Sequence, residues 1–432
     1  MIGIVGGGIA GLAAAYRLRT RGHEVRVFEA NEVGGLAASY ETAGDPIEAY
    51  YHHLSRSEET ITELAAELGI EVEWRIGTNA TYAEGLVHPL DTPWEILAYP
   101  RLSFSDTIRL ALLTKGVSFD GVRPRTDAYD HLGAYDDVPA VEFLREEVGG
   151  RVYEDFFEPL LRAKFGSRAG EVSAAWLLGR IRFRGERDLL RGEVLGYVPG
   201  GFGRLIDALV EAVGPERIET GARVESIGLE DGVVASLTVE TAAGTEVHPV
   251  EGIVVATMPD VLESLVGYGT EIEFQGTICS LYSLSEPLTG TYWLNVAEEA
   301  PFGALIEHTE FVSPERYGGD HLLYVARYVQ STEEDVWTMG DSEVEALWLE
   351  GITDLFPAFD PATVNWVRTA REPRTAPVYT CGYLEEVVPY DLPEVAEGLT
   401  YAGMASRAQY PERSLDGGVV AGFACADLLS ER

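Results

Sequence analysis

Lysine is almost missing from this chain: among 432 residues only Lys115 and Lys164 carry an ammonium, and every other cation is an arginine. Cysteine is nearly as scarce. Cys279, Cys381 and Cys425 stand far apart with no CxxC spacing, so neither a disulfide framework nor a metal site follows. No run of about 18 apolar residues occurs, which excludes a membrane-spanning helix. The chain goes straight into the apolar stretch Met1-Ile2-Gly3-Ile4-Val5 with no basic segment before it, so no secretory signal is expected and a cytoplasmic protein is the reading. Internal repeats and low-complexity tracts are absent as well, which removes solenoids and arrays.

What is abundant is negative charge. Asp and Glu number 71 against 32 Lys and Arg, a formal charge of −39. With 46% hydrophobic residues the chain can still bury a large core, so the acidity does not mark a disordered tail. The charge is spread along the whole length and repels phosphate backbones, which makes nucleic acid an unexpected partner. A carboxylate-rich, lysine-poor surface fits a halophilic setting in which salt screens self-repulsion within a few Å. Two or three domain-sized units, or one interleaved pair, follow from the length.

The chemistry begins at the first turn. Residues 2–5 form an apolar run of strand length, followed at once by Gly6-Gly7-Gly8-Ile9-Ala10-Gly11, then by an Ala- and Leu-rich helix that ends near Gly22. A second strand, Glu24 to Phe28, runs into Glu29. Gly6-x-Gly8-x-x-Gly11 in this setting is a dinucleotide fingerprint. One glycine makes the turn, one lets the backbone approach a pyrophosphate, one lets the helix pack closely, and the helix start offers free N–H groups to anions. Glu29 stands 18 residues after Gly11, where a carboxylate binds ribose hydroxyls and repels a 2′-phosphate. The fingerprint alone does not separate NAD from FAD.

The stretch Glu29-Ala30-Asn31-Glu32-Val33-Gly34-Gly35-Leu36-Ala37-Ala38-Ser39 resembles the diglycine motif of the flavin-containing amine oxidase, protoporphyrinogen oxidase and phytoene desaturase superfamily. Three later segments are similar to the same superfamily in the same order. These are Tyr197 to Leu205 leading to Arg223-Val224-Glu225-Ser226-Ile227, then Val254 to Pro259, and finally Gly398 to Met404 with Tyr410-Pro411-Glu412-Arg413 and Asp416 to Gly422. The resemblance implies FAD, held by Gly6, Gly8, Ile9, Ala10, Gly11, Glu29, Ala30, Gly34, Gly35, Leu36, Ala37, Val224, Ala256, Gly403, Met404, Arg413 and Gly418, with the Val224 backbone against the adenine. Two positions depart from the pattern. Met404 stands where many relatives carry an acid, and Leu36 where a basic residue is usual.

The expected fold class is α/β: a Rossmann-like FAD/NAD(P)-binding domain interleaved with an α+β substrate domain made of a mainly antiparallel sheet and a helical subdomain. Residues 1–75, 192–270 and 385–432 are assigned to the first, and 76–191 and 271–384 to the second. Tyr51, His52 and His53 follow the diglycine and are candidates for proton handling; similar Tyr-His-His segments occur in a sub-branch near UDP-galactopyranose mutase. Lys164 is a candidate for polarisation near the flavin, weighed against an ion pair. Arg180, Arg182 and Arg184 recur at spacing two and, with Arg371 and Arg374, are candidates for binding carboxylates or a pyrophosphate, weighed against surface pairing with the abundant carboxylates. The leading expectation is an FAD-dependent oxidoreductase that oxidises a small organic substrate by hydride transfer to flavin N5. The alternatives are a UDP-galactopyranose-mutase-like isomerase and a non-catalytic scaffold with this fold. A small-molecule substrate is the expected partner, with peripheral membrane contact left open.

Overall fold

A computed structural model of the chain describes residues 1–114, 117–118, 121–122, 129–183, 187–188 and 192–432. Strand β1 (Ile2–Val5) is buried along its whole length, as an unbroken apolar sequence requires of a strand covered on both faces. Gly6, with a φ of 104°, turns the chain, and helix α1 (Ile9–Thr20) starts directly after Gly8. Strand β2 (Val25–Phe28) then pairs parallel to β1 with Ile2 opposite Val25. The remaining strands arrive from far along the chain. The parallel sheet runs in the order Ile218–Glu219, β2, β1, Gly252–Val255 and Leu399–Tyr401.

One face of this sheet is covered by α1 and the C-terminal helix Leu415–Ser430. The two helices meet through small residues: a Cβ placed on Gly422 would lie 2.3 Å from the Ala10 carbonyl oxygen. Ala14, Ala15, Leu18, Ala421, Cys425 and Leu429 close the layer over Ile4 and Val27. The opposite face is covered by the antiparallel meander Arg223–Glu230, Val233–Thr241 and Gly244–Pro249, which buries Leu237 and Val239 against Val5, Phe28 and Ile253.

A second sheet of seven strands carries the rest. Its order is Val364–Pro377, Phe274–Leu284, His321–Val329, Ala304–Glu307, Trp293–Val296, Asn79–Ala83 and Leu86–Pro89. All neighbours are antiparallel except Trp293–Val296 with Asn79–Ala83. Asn79–Ala83 and Leu86–Pro89 close the sheet as a hairpin. Period-two alternation gives the sheet two different faces. Ile278, Tyr282, Leu323 and Val325 pack under the helix Asp341–Leu355 through Val344, Trp348 and Ile352, residues spaced four apart on that helix. Trp348 is fully buried there, and its truncation to alanine costs about 3–5 kcal/mol. The other face, with Thr277, Ala326 and Tyr328, fronts the cavity described below.

The helical subdomain contains Phe104–Thr114, Ala140–Glu147, Glu158–Phe165 and Ala174–Phe183. Lys115 and Arg184 lie outside the described residues. Among the described residues no helix is long and apolar enough to cross a membrane.

Candidate active site

A cavity of about 1380 Å³ runs from the first turn of the parallel sheet to the helical layer. At one end lie Gly6, Gly8, Ile9 and Ala10, the last two in the first turn of α1. A Cβ on Gly8 would meet nothing within 4 Å, so this glycine faces open space. A Cβ on Gly11 would sit 2.0 Å from the Gly6 carbonyl oxygen; Gly11 does not line the cavity but lets the helix start against the turn. The diglycine runs alongside, with Gly34 bridged to Gly8 and Gly34 and Gly35 at φ 108° and 56°. Leu36 and Ala37 continue the wall. The Glu29 carboxylate lines the cavity and accepts hydrogen bonds from the N–H of Gly7 at 2.6 Å and of Asn31 at 2.8 Å. Ala30 and Val224 do not line it; Val224 is buried in the meander next to a bulge.

These features fit a bound dinucleotide. Bare backbone at Gly8, Gly34 and Gly35 and an open helix start suit a pyrophosphate, and the volume exceeds the roughly 300–1,000 Å³ of ordinary small-molecule sites.

At the centre of the cavity the parallel strands end in Ala256, Thr257 and Met258 on one side and Gly403 and Met404 on the other, with Gly418 of the C-terminal helix beside them. Tyr50, Tyr51, His52 and His53 face them. This segment is anchored by Glu48, which is fully buried, accepts hydrogen bonds from the Tyr197 hydroxyl at 2.9 Å and the Phe202 N–H, and is held by burial above the usual carboxylate range. Nδ1 of His52 lies 2.6 Å from the Tyr50 carbonyl and donates to it. Burial and then the nearby Arg413 push His52 down to about 4, so the ring is neutral at pH 7. Nδ1 of His53 meets the Tyr292 hydroxyl at 2.8 Å.

Lys164 is buried on the helix Glu158–Phe165, and its Nζ meets Glu412 Oε1 at 2.5 Å. Arg180 pairs with the other oxygen of the same carboxylate. Lys164 is therefore in an ion pair, but one that lines the cavity. Of the arginines at spacing two, Arg180 and Arg182 lie on the helix Ala174–Phe183, which turns Arg180 inward and leaves Arg182 exposed. Arg413 also lines the cavity, and among the described residues no carboxylate pairs with it. Arg371 and Arg374 each meet a carboxylate. Three residues apart on one strand, they face opposite ways: Arg371 binds Asp341 and the carbonyls of Trp337 and Met339, while Arg374 lines the cavity and meets Asp260 at 2.8 Å.

Tyr328 and Glu412 were not among the residues singled out from sequence, although Glu412 lies inside a motif noted there. Tyr328 faces Lys164, Arg413 and Arg180 and is hydrogen-bonded to Tyr51. Burial pushes its phenol up, but Lys164, then Arg413, the Tyr51 hydroxyl and Arg180 outweigh it and bring the group down to about 8. Tyr51 is held well above its ordinary value, by burial first, and donates to Tyr328. Beyond this polar cluster the wall is apolar, formed by Leu110, Phe156, Leu160, Leu161, Leu177 and Ile181. Packing of helices that are distant in sequence creates it, and no local pattern announces it.

Comparison with known proteins agrees with this geometry. A "putative flavin-containing monoamine oxidase" of Mycobacterium tuberculosis is 28% identical over 240 residues, 52% of this chain and 50% of that protein. A coproporphyrinogen III oxidase of Staphylococcus aureus is 30% identical over 183 residues, 40% of this chain and 38% of that one. The chain thus spans about half or less of the curated relatives it matches. Among solved structures, a putative protoporphyrinogen oxidase from an Exiguobacterium species superposes with a TM-score of 0.76 at 19% identity, covering 100% of this chain and 98% of that one. The model of the flavin-containing amine oxidoreductases matches residues 9–430, and the chain belongs to that family, with FAD as its cofactor.

Proposed function

We propose that the chain is an FAD-dependent oxidase whose substrate is largely apolar and neutral or anionic, of the porphyrinogen class, and not a protonated amine. The observation that carries this is the charge at the centre of the cavity. Lys164, Arg180, Arg374 and Arg413 line it together with the carboxylates of Glu412 and Glu372, an excess of cations in a chain whose charge is otherwise overwhelmingly negative. A cationic substrate is repelled there, while a carboxylate-bearing or electron-rich ring is attracted. The apolar back wall excludes water and accepts a bulky hydrocarbon framework.

In this reading the proposed cofactor contacts are the first turn of α1, the diglycine, Glu29, and the strand ends at Ala256 and Gly403, within a domain made of residues 1–75, 192–270 and 385–432. The flavin supplies the two-electron oxidation of a carbon-bound hydrogen. The protein's part is to position the substrate and manage protons. Arg413 and Lys164 hold an anionic group, and the Tyr51–Tyr328 pair accepts a proton at the Tyr328 oxygen. His52, neutral at pH 7, offers Nε2 as an acceptor. The mutase-like alternative loses its support with Arg371, which is tied to Asp341 away from the cavity.

The test is direct oxidation. Purified protein in concentrated salt is given a porphyrinogen tetracarboxylate, a porphyrinogen dicarboxylate and a primary amine, and product absorbance and flavin reduction are followed. Flavin reduction by the porphyrinogens and none by the amine supports the reading. Reduction by the amine alone overturns it.

A further inference from the structure

Few large apolar side chains of the described residues are exposed, and most of them fall in one short stretch. Leu86 is 62% exposed, Trp94 71%, Leu97 39%, Phe104 70% and Ile108 40%. Trp94 and Leu97 lie on the helix Pro93–Ala98, and Phe104 and Ile108 on Phe104–Thr114, at the three- and four-residue spacings that put each pair on one helix face. The inner sides of the same two helices, through Ile96, Leu110 and Leu113, pack into one core cluster. Each helix is therefore apolar on both its buried and its outward face, unlike an ordinary surface helix with a polar outer side.

Charge sets this stretch apart too. Residues 93–114 contain Glu95, Arg101, Asp106 and Arg109, so the stretch is neutral within a chain of net charge −39. Both carboxylates are turned onto their own helix starts. Glu95 accepts from the N–H of Asp91 and Thr92, at 3.0 and 2.8 Å, and Asp106 accepts from the N–H of Ser103 at 2.9 Å. The stretch itself adds nothing to the repulsion that the rest of the surface exerts on anionic headgroups.

The patch also adjoins the cavity. Pro93, Ala111 and Thr114 are exposed and at the same time line it, so the cavity opens to the surface between these two helices. An apolar surface surrounding the mouth of an apolar-walled cavity is the arrangement by which a substrate dissolved in a bilayer reaches a site without crossing water.

We propose that the outward faces of Pro93–Ala98 and Phe104–Thr114 dock on a lipid bilayer, with Trp94 and Phe104 as the inserted side chains and the cavity mouth turned to the membrane. This docking is separable from the reading of the substrate, because vesicle binding is measured without one. The experiment is flotation of the flavin-loaded protein with phosphatidylcholine and mixed phosphatidylcholine–phosphatidylglycerol vesicles in concentrated KCl. The wild type floats with both. The double variant Trp94→Ser/Phe104→Ser keeps its flavin absorbance but loses about tenfold or more in partitioning for each side chain removed. The control Leu229→Ser/Val247→Ser, on exposed apolar residues of the meander, partitions like the wild type. A wild type that stays with the unbound fraction, or a double variant that floats unchanged, overturns the proposal. So does a concentration-dependent dimer dissolved by the Trp94 and Phe104 substitutions, which would make a second copy the occupant of this face.

Discussion

Replacing Tyr328 by phenylalanine removes one oxygen from the centre of the cavity, and the structure gives the size of what is lost. Burial alone would hold the phenol above its ordinary value of 10.0, but Lys164, Arg413, the Tyr51 hydroxyl and Arg180 bring it to about 8. That difference corresponds to about 2–3 kcal/mol in favour of the phenolate. In the wild type, one tyrosine should ionise with a midpoint near 8, so that about a tenth of the molecules carry the phenolate at neutral pH. The assay is the ultraviolet difference spectrum of tyrosinate on raising the pH, with the Y328F titration subtracted.

Linkage fixes the sign for stability. The folded value lies below the unfolded one, so this group's contribution is present above about pH 10 and is lost as the pH falls through about 8. The stability difference between wild type and Y328F should therefore grow by about 2–3 kcal/mol on going from neutral pH to about pH 10. Lys164→Met, which removes the largest lowering influence, should move the midpoint back toward 10. If no tyrosine ionises below its ordinary range, or if the low-pH signal survives in Y328F, the electrostatic account of the site is refuted.

The remaining predictions concern the walls. Gly11→Ala puts a Cβ 2.0 Å from the Gly6 carbonyl and should prevent stable folding, whereas Gly8→Ala, with open space around it, should fold normally and lose flavin on gel filtration; far-ultraviolet dichroism and flavin absorbance separate the two. Glu412→Gln removes the carboxylate that Lys164 and Arg180 share and should destabilise by about 2–4 kcal/mol, discounted for the partial exposure of Arg180, in urea unfolding; adding Lys164→Met should restore part of the loss. His52 sits near 4 when folded against 6.5 when free, so its contribution is present above about pH 6.5 and is lost as the pH falls toward 4; His52→Gln should flatten that part of the stability profile.

What was legible in the sequence was what consecutive residues determine. The run from Ile2 to Glu29 specifies strand, turn, helix and strand through its own periodicity and glycine spacing, and the parallel pairing of β1 with β2 follows from it. The later flavin segments were readable because each is a short motif of its own. Arg371 and Arg374 make the carboxylate pairs weighed for them, and which way each faces is decided by strand geometry, not sequence distance. Tyr328 stayed hidden for a related reason. It alternates with buried core residues along His321–Val329, and only the arrival of Lys164, Arg180 and Arg413 from three other elements gives it chemistry. The anchoring of the Tyr-His-His segment by Glu48 depends likewise on Tyr197 and Phe202, about 150 residues away.

The order of strands in the parallel sheet bears on how the protein is made. β1 stands between β2 and Gly252–Val255, and the sheet is completed only by Leu399–Tyr401 and the helix that follows. During synthesis the fingerprint turn emerges from the ribosome long before the far side of the cofactor cleft. A nascent chain must therefore hold β1 and α1 without these neighbours while the intervening residues are made, and flavin capture waits for Leu399–Tyr401 and the helix after it. Ribosome-stalled chains ending before residue 399 should bind no flavin, however long the stall.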